Sequence, residues 1–196
     1  MCITALAIFF YPSVWLIPAE LILLILTGWA LSFFRDPPRK IADDENILYS
    51  PCDGTVTEVA ADGGEIRVSM FLSLFNVHIN RAPCSCKVVD VSYKKGQYRD
   101  ARDPESAKLN ESNTLTLTRA AEPYDTIKVI QVSGAVARHI VCAVKEGDAL
   151  RQGGKFGMIK FGSRTELILP GGSGREICVK TGDKVKAGLT PLVRYI

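Results

Sequence analysis

Val144-Lys145-Glu146-Gly147-Asp148-Ala149-Leu150 and Val179-Lys180-Thr181-Gly182-Asp183-Lys184-Val185 are two copies of one phrase, and a glycine follows each at the same offset, Gly153 and Gly188. Gly-Asp marks a turn, and the apolar residues around it read as strand ends. Ser50-Pro51-Cys52-Asp53-Gly54-Thr55-Val56 adds a turn followed by a strand. Outward from these, short apolar stretches alternate with Gly, Pro, Asp and Asn. The pattern predicts strands at 54–59, 65–70, 78–81, 86–93, 114–118, 126–132, 136–141, 155–160, 165–169 and 175–179, because β-branched residues recur with period two and few windows show a helical period. The polar stretch from Lys94 to Asn113 reads as a long loop, either plain solvated linker or a lid that serves a site.

The expected body is therefore mainly β. Its repeat resembles the barrel-sandwich hybrid of biotinyl and lipoyl carrier domains. No lysine flanked by methionines stands at a hairpin tip, so that likeness concerns fold and not function.

In front of the body lies a different kind of sequence. From Ile3 to Phe34 almost every residue is apolar, with Glu20 the only formal charge. A bilayer core needs roughly 20 apolar helical residues. The run is long for one span and short for two, and Pro12 and Pro18 interrupt it. It reads as a membrane anchor over 1–34, either one span or a short hairpin, with the body over 35–196. No basic residue precedes the run and no small-residue cleavage site closes it, which argues against a signal peptide. Arg35, Arg39 and Lys40 follow it directly, which places the body on the cytoplasmic side of the cell membrane.

The net charge of +3 is small and its basic residues are scattered, which excludes a nucleic-acid partner. Six cysteines show neither redox nor zinc spacing, so no metal is expected and the thiols read as reduced and mostly buried. Of two histidines, His139 sits in a plainly alternating strand and reads as structural. His78 sits where polar residues interrupt a strand, in Phe75-Asn76-Val77-His78-Ile79-Asn80. Taken alone, Asp53 is a turn former and Ser163, in Phe161-Gly162-Ser163-Arg164, is uninformative.

Together they are informative. Ser-Pro-x-Asp-Gly at Asp53, Phe-Asn-Val-His-Ile-Asn at His78 and Phe-Gly-Ser-Arg at Ser163 occur in the order of the phosphatidylserine decarboxylase family. Phe33-Phe34-Arg35-Asp36-Pro37 and Lys108-Leu109-Asn110-Glu111-Ser112-Asn113 are similar to further family patterns. The chain resembles the short form of that family along nearly its whole length. It departs at the cut, where long bacterial forms carry Leu-Gly-Ser-Thr.

The resemblance implies a pyruvoyl-dependent lyase that cuts itself between Gly162 and Ser163. The products are a β chain, 1–162, and an α chain, 163–196, which stay together as a heterodimer and possess no cofactor apart from the pyruvoyl group made from Ser163. Asp53, His78 and Ser163 form the implied catalytic set, with Asp53 orienting His78. The pyruvoyl group takes the headgroup amine of phosphatidylserine as a Schiff base and releases carbon dioxide, leaving phosphatidylethanolamine. An archaeal source would make archaetidylserine the substrate. A higher homo-oligomer is compatible with all of this. The rival reading is a non-catalytic, membrane-anchored barrel-sandwich adaptor, which explains anchor and repeat but gives Asp53, His78 and Ser163 no reason to occur in these contexts.

Overall fold

The structure is a computed structural model that describes residues 16–62, 64–103, 105–135, 139–160 and 163–196. The first half of the apolar head, residues 136–138 of one expected strand, and Phe161 and Gly162 at the expected cut lie outside these. By its contacts the chain divides into Met1–Arg35 and Asp36–Ile196.

The described part of the first unit is one helix, α1 (Leu16–Phe33). Ile17, Leu21, Ile22, Ile25 and Leu31 are among its exposed side chains. A helix that is apolar all round belongs in lipid or in a core, not in water. At 1.5 Å per residue its 18 residues run roughly 27 Å, short of a hydrocarbon core. Among the described residues no helix is long and apolar enough to cross a membrane. The expected apolar helix is present, then, but a crossing is not seen.

The second unit is mainly β, as expected. Its strands are β1 (Ile47–Tyr49), β2 (Gly54–Asp62), β3 (Glu65–Leu72), β4 (Ile79–Arg81), β5 (Cys86–Lys94), β6 (Ser112–Arg119), β7 (Thr126–Val132), β8 (His139–Cys142), β9 (Ala149–Leu150), β10 (Lys155–Lys160), β11 (Ser163–Pro170), β12 (Arg175–Ile177), β13 (Lys184–Val185) and β14 (Pro191–Tyr195). An eight-stranded antiparallel sheet has the order β13-β2-β3-β11-β7-β6-β5-β9. Two three-stranded sheets have the orders β1-β14-β12 and β4-β10-β8. Alternate residues from the large sheet, among them Val68, Met70, Leu115, Leu117, Val129 and Leu167, form one core with Leu48, Phe156 and Leu192 of the small sheets.

The two copies of the opening phrase sit at opposite edges of the large sheet, one at β9 and the other at β13. Each uses the same bonds. Gly147 N–H donates to Val88 O and Val88 N–H to Asp148 O, both at 2.9 Å. Gly182 N–H donates to Val56 O and Val56 N–H to Asp183 O, both at 2.8 Å. The correspondence extends through the unit. Tyr49 N–H donates to Pro83 O and Arg81 N–H to Pro51 O, each at 2.9 Å, a reciprocal pair. Matching β1, β2 and β3 with β4, β5 and β6, and β11 to β14 with β7 to β10, maps every sheet order onto its counterpart. The two halves meet where β7 pairs with β11.

One connection breaks this internal symmetry. β2 turns into β3 within two residues, whereas the equivalent β5–β6 connection carries residues 95–111 and a short helix, α2 (Ser106–Leu109). The long loop is thus an insertion on the fold's own template. It folds back on itself, with Gln97 N–H on Leu109 O at 2.7 Å and Glu111 N–H on Gln97 O at 3.0 Å. Gly96 permits this approach, since a Cβ there would lie 2.4 Å from the Asn110 carbonyl carbon.

Gly147 and Gly182 have φ of 91° and 97°, and an added Cβ would meet no atom within 4 Å at either. The cost of Gly147→Ala or Gly182→Ala is therefore conformational, about 1 kcal/mol each. Being on opposite edges, the two should add in the double variant, as measured by urea unfolding midpoints.

Candidate active site

The backbone leaves the β4-β10-β8 sheet at Lys160 and enters the large sheet at Ser163, so the expected cut lies in the step between two sheets. Ser163 opens β11, a strand buried at seven of its eight positions and paired on both sides, with β3 and β7. Ser163 is fully buried, and its Oγ has no hydrogen-bond partner among the described residues. A buried polar atom without a partner costs roughly 1–3 kcal/mol, so such atoms persist where function requires them.

Register sets His78 beside the end of β10. Gly157 and Met158 of β10 pair with Asn80 and Ile79 of β4, and Ile159 N–H donates to His78 O at 3.3 Å. His78 therefore flanks the last residues of β10 before the step to Ser163. It is fully buried, with Nδ1 2.9 Å from Asn76 O. A carbonyl only accepts, so the neutral ring carries its proton on Nδ1 and Nε2 is the basic nitrogen. His139, by contrast, is exposed on β8 opposite Lys160.

Asp53 is placed differently from the expectation that it orients His78. Its two oxygens take the Arg39 guanidinium in a fork at 2.7 and 2.8 Å, and Oδ1 also accepts the Ala187 N–H at 2.8 Å. The bond to Asn76 O holds Nδ1 of His78, and the described bonds of Asp53 go to Arg39 and Ala187. The reason lies in the repeat. Ser85 holds the equivalent position in the other half, and its Oγ accepts the N–H of Gln152, the counterpart of Ala187, at 3.2 Å. Arg39, whose side chain is only 5% exposed, is consumed by this pairing, so it does not serve as a lipid-facing charge.

A second motif also proves to be a clamp. Asp36 of Phe-Phe-Arg-Asp-Pro accepts from Arg81 Nη2 at 3.1 Å and pairs with Lys155, so it ties β4 to β10. The Lys155 hydrogen bond holds its carboxyl below the usual range. Arg164, where long forms have Thr, points away from the Ser163 side. Its Nη2 donates to Ser69 Oγ at 2.9 Å, and its Nε lies 2.7 Å from Glu166 Oε1, near enough for charge attraction without hydrogen-bond alignment. The departure at the cut is compensated by a buried acid two residues on.

Sequence reading missed a buried amide chain over the sheet. Asn80 Nδ2 lies 3.4 Å from Thr165 Oγ1, Gln131 Nε2 donates to Asn80 Oδ1 at 2.9 Å, and Asn113 Nδ2 donates to Gln131 Oε1 at 3.0 Å. These residues come from four strands, so no local pattern announces them. A groove of about 350 Å³ lies at the same end of β3 as Leu72, the pairing partner of Ser163, and is lined by Phe71, Leu74, Phe75, Ala101 and Ala135 among others. A larger cavity of about 600 Å³ lies beside Tyr195 and Arg175 and touches none of Asp53, His78 or Ser163.

Arg39→Ala leaves the Asp53 carboxylate buried without its counter-ion. It should lower stability by about 3 kcal/mol in urea unfolding, whereas a mere surface pair would lose under about 1 kcal/mol.

The family model described as phosphatidylserine decarboxylase matches residues 26–192. The phosphatidylserine decarboxylase proenzyme of Chlorobium chlorochromatii (strain CaD3) is 42% identical over 201 residues, covering 100% of this chain and 91% of that one. The proenzyme of the same name from Syntrophus aciditrophicus (strain SB) is 39% identical over 196 residues, covering 96% and 89% of the two chains. That of Citrifermentans bemidjiense is 43% identical over 182 residues, covering 90% and 81%. Because family model and relatives alike span both the His78 and the Ser163 segments, the chain belongs to the phosphatidylserine decarboxylase family.

Proposed function

We propose that this chain decarboxylates the serine headgroup of phosphatidylserine, using a pyruvoyl group that it makes by cutting itself between Gly162 and Ser163. The observation that carries the reading is the buried, unpartnered hydroxyl of Ser163 at the step between two sheets, with buried His78 on the flanking strand. An orphaned hydroxyl suits a residue that is to be consumed. The adaptor reading offers no use for it, and the relatives bear the name of proenzymes.

In the precursor, Nε2 of His78 takes the proton of Ser163, whose oxygen attacks the carbonyl carbon of Gly162 and moves the acyl group from nitrogen to oxygen. Removal of the Ser163 α-proton expels the Gly162 carboxylate, and one water then replaces the amino group as ammonia. When formed, the pyruvoyl carbonyl supplies an electron sink for the pair left by departing carbon dioxide. His78 remains beside it to return a proton to carbon. Asp53 acts as a positioning residue, holding Arg39 and the Ala187 backbone of the α chain. The apolar head over 1–34 keeps the site at the membrane, with the body on the cytoplasmic side, and the groove at Phe71 and Phe75 is the place for a lipid chain.

After the cut the α chain, 163–196, depends on non-covalent ties. Beyond the β11 ladders, Tyr195 donates to Asp125 at 3.0 Å and lies under the Arg119 guanidinium, 3.8 Å from its ring centroid. Burial, then the Asp125 hydrogen bond, pushes the Tyr195 hydroxyl up to about 12 from 10.0. A raised folded value means that its contribution is complete below pH 10 and is lost as pH rises toward about 12. The purified protein should lose stability over that window, and Tyr195→Phe should flatten this part of the profile.

Intact mass under denaturing conditions tests the central claim. Two fragments meeting at 162/163 are expected, the C-terminal one lighter by an ammonia than a serine-ended fragment. Ser163→Ala should remain one inactive chain and, having lost an orphaned hydroxyl, should be no less stable than the parent. Cleavage and activity surviving in that variant would sink the reading.

A further inference from the structure

Thr165, Gln131 and Asn113 lie side by side on β11, β7 and β6, and their contacts with Asn80 and one another put all three side chains on one face. Side chains on a strand repeat every second residue, so Ser163, Ser133 and Glu111 form the next row on that same face, one step nearer the sheet end. On the β6–β7 side the pairing continues one step past the strand ends, because Ser133 N–H donates to Glu111 O at 2.9 Å, and on the β11–β7 side it runs to Arg164 and Val132, the residues adjoining Ser163 and Ser133. Asn110 Nδ2 fixes the Ser133 carbonyl at 2.8 Å. Neighbouring strands are about 4.8 Å apart, so Ser133 stands one strand from Ser163 and Glu111 two.

Ser133 is fully buried, and its Oγ, like that of Ser163, has no hydrogen-bond partner among the described residues. Two orphaned hydroxyls side by side in one row are not explained by packing, since alanine would fill either place without the cost. The reaction explains Ser163 and leaves Ser133 unaccounted for. Glu111, 5% exposed, ends the inserted loop and accepts from Tyr98 Oη at 2.6 Å. The row therefore offers a hydroxyl and a carboxylate beside the reacting residue, a lining that suits a primary ammonium and not an anion.

We infer that Ser133 is a substrate-contacting residue whose hydroxyl accepts a hydrogen bond from the headgroup ammonium of the aminophospholipid as it approaches residue 163, with Glu111 supplying the attracting charge. The inference rests on the decarboxylase reading above. It gives the inserted loop a purpose, since that loop delivers Glu111 to the row.

The test is Ser133→Ala in the full-length protein, assayed on phosphatidylserine in detergent micelles. Cleavage at 162/163 should go to completion, the melting temperature should hold or rise by a few degrees, and KM should increase about ten- to hundredfold with a smaller change in kcat. Ser133→Thr, which keeps the hydroxyl, should recover most of the KM. A cleaved Ser133→Ala enzyme with KM within twofold of the parent overturns the assignment, and so does Thr behaving like Ala. Failure of Ser133→Ala to cleave would also overturn it, since Ser133 would then act in self-processing. Absence of decarboxylation by the parent protein would strike the decarboxylase reading instead.

Discussion

Strand β11 is laced to a neighbour on each side, eight register pairs with β3 and five with β7, and its first residue is Ser163. Everything proposed about the site depends on that double pairing. A residue destined to become a chain terminus would ordinarily fray, because a free end has few contacts to offset its conformational entropy. Ser163, the residue that follows the proposed cut, begins a central strand of the sheet and is buried. On the proposed reading, a cut before Ser163 leaves β11 laced to both neighbours.

The internal two-fold organisation clarifies which residues are architecture and which are chemistry. Asp53 has Ser85 as its counterpart, and each caps the same kind of backbone N–H. The reciprocal bonds of Tyr49 and Arg81 serve both halves alike. What lacks a counterpart is more telling. The insertion over 95–111 stands where the other half has a short connection, and its end is tied to Ser133, whose N–H donates to Glu111 O. The body is a doubled β scaffold in which the β5–β6 connection is the lengthened one.

Charge is used in pairs with distinct purposes. Arg39 and Asp53 lock the entrance segment to the C-terminal region, Asp36 binds Arg81 and Lys155 across β4 and β10, and Arg164 is met by Glu166 beneath Ser163. None of these charges points at the reacting hydroxyl. In the proposed reading the neighbour of Ser163 that moves its proton is His78, which none of these pairs engages.

The alternating strands, the turn phrase and its repeat, and the apolar head were legible in the amino-acid order, because hydrophobic period and Gly-Asp turns are local properties of a few consecutive residues. Asp53, His78 and Ser163 were singled out as a set through family resemblance, each from its own short context. The partner of Asp53, the clamp made by Asp36, and Ser133 were not. Gln131-Val132-Ser133-Gly134 reads simply as a strand giving way to a turn. Only strand register, which pairs Thr165 with Gln131 and Gln131 with Asn113 from distant stretches of chain, decided which side chains share a face. Register is set by the packing of the whole sheet, and no short stretch of chain contains it.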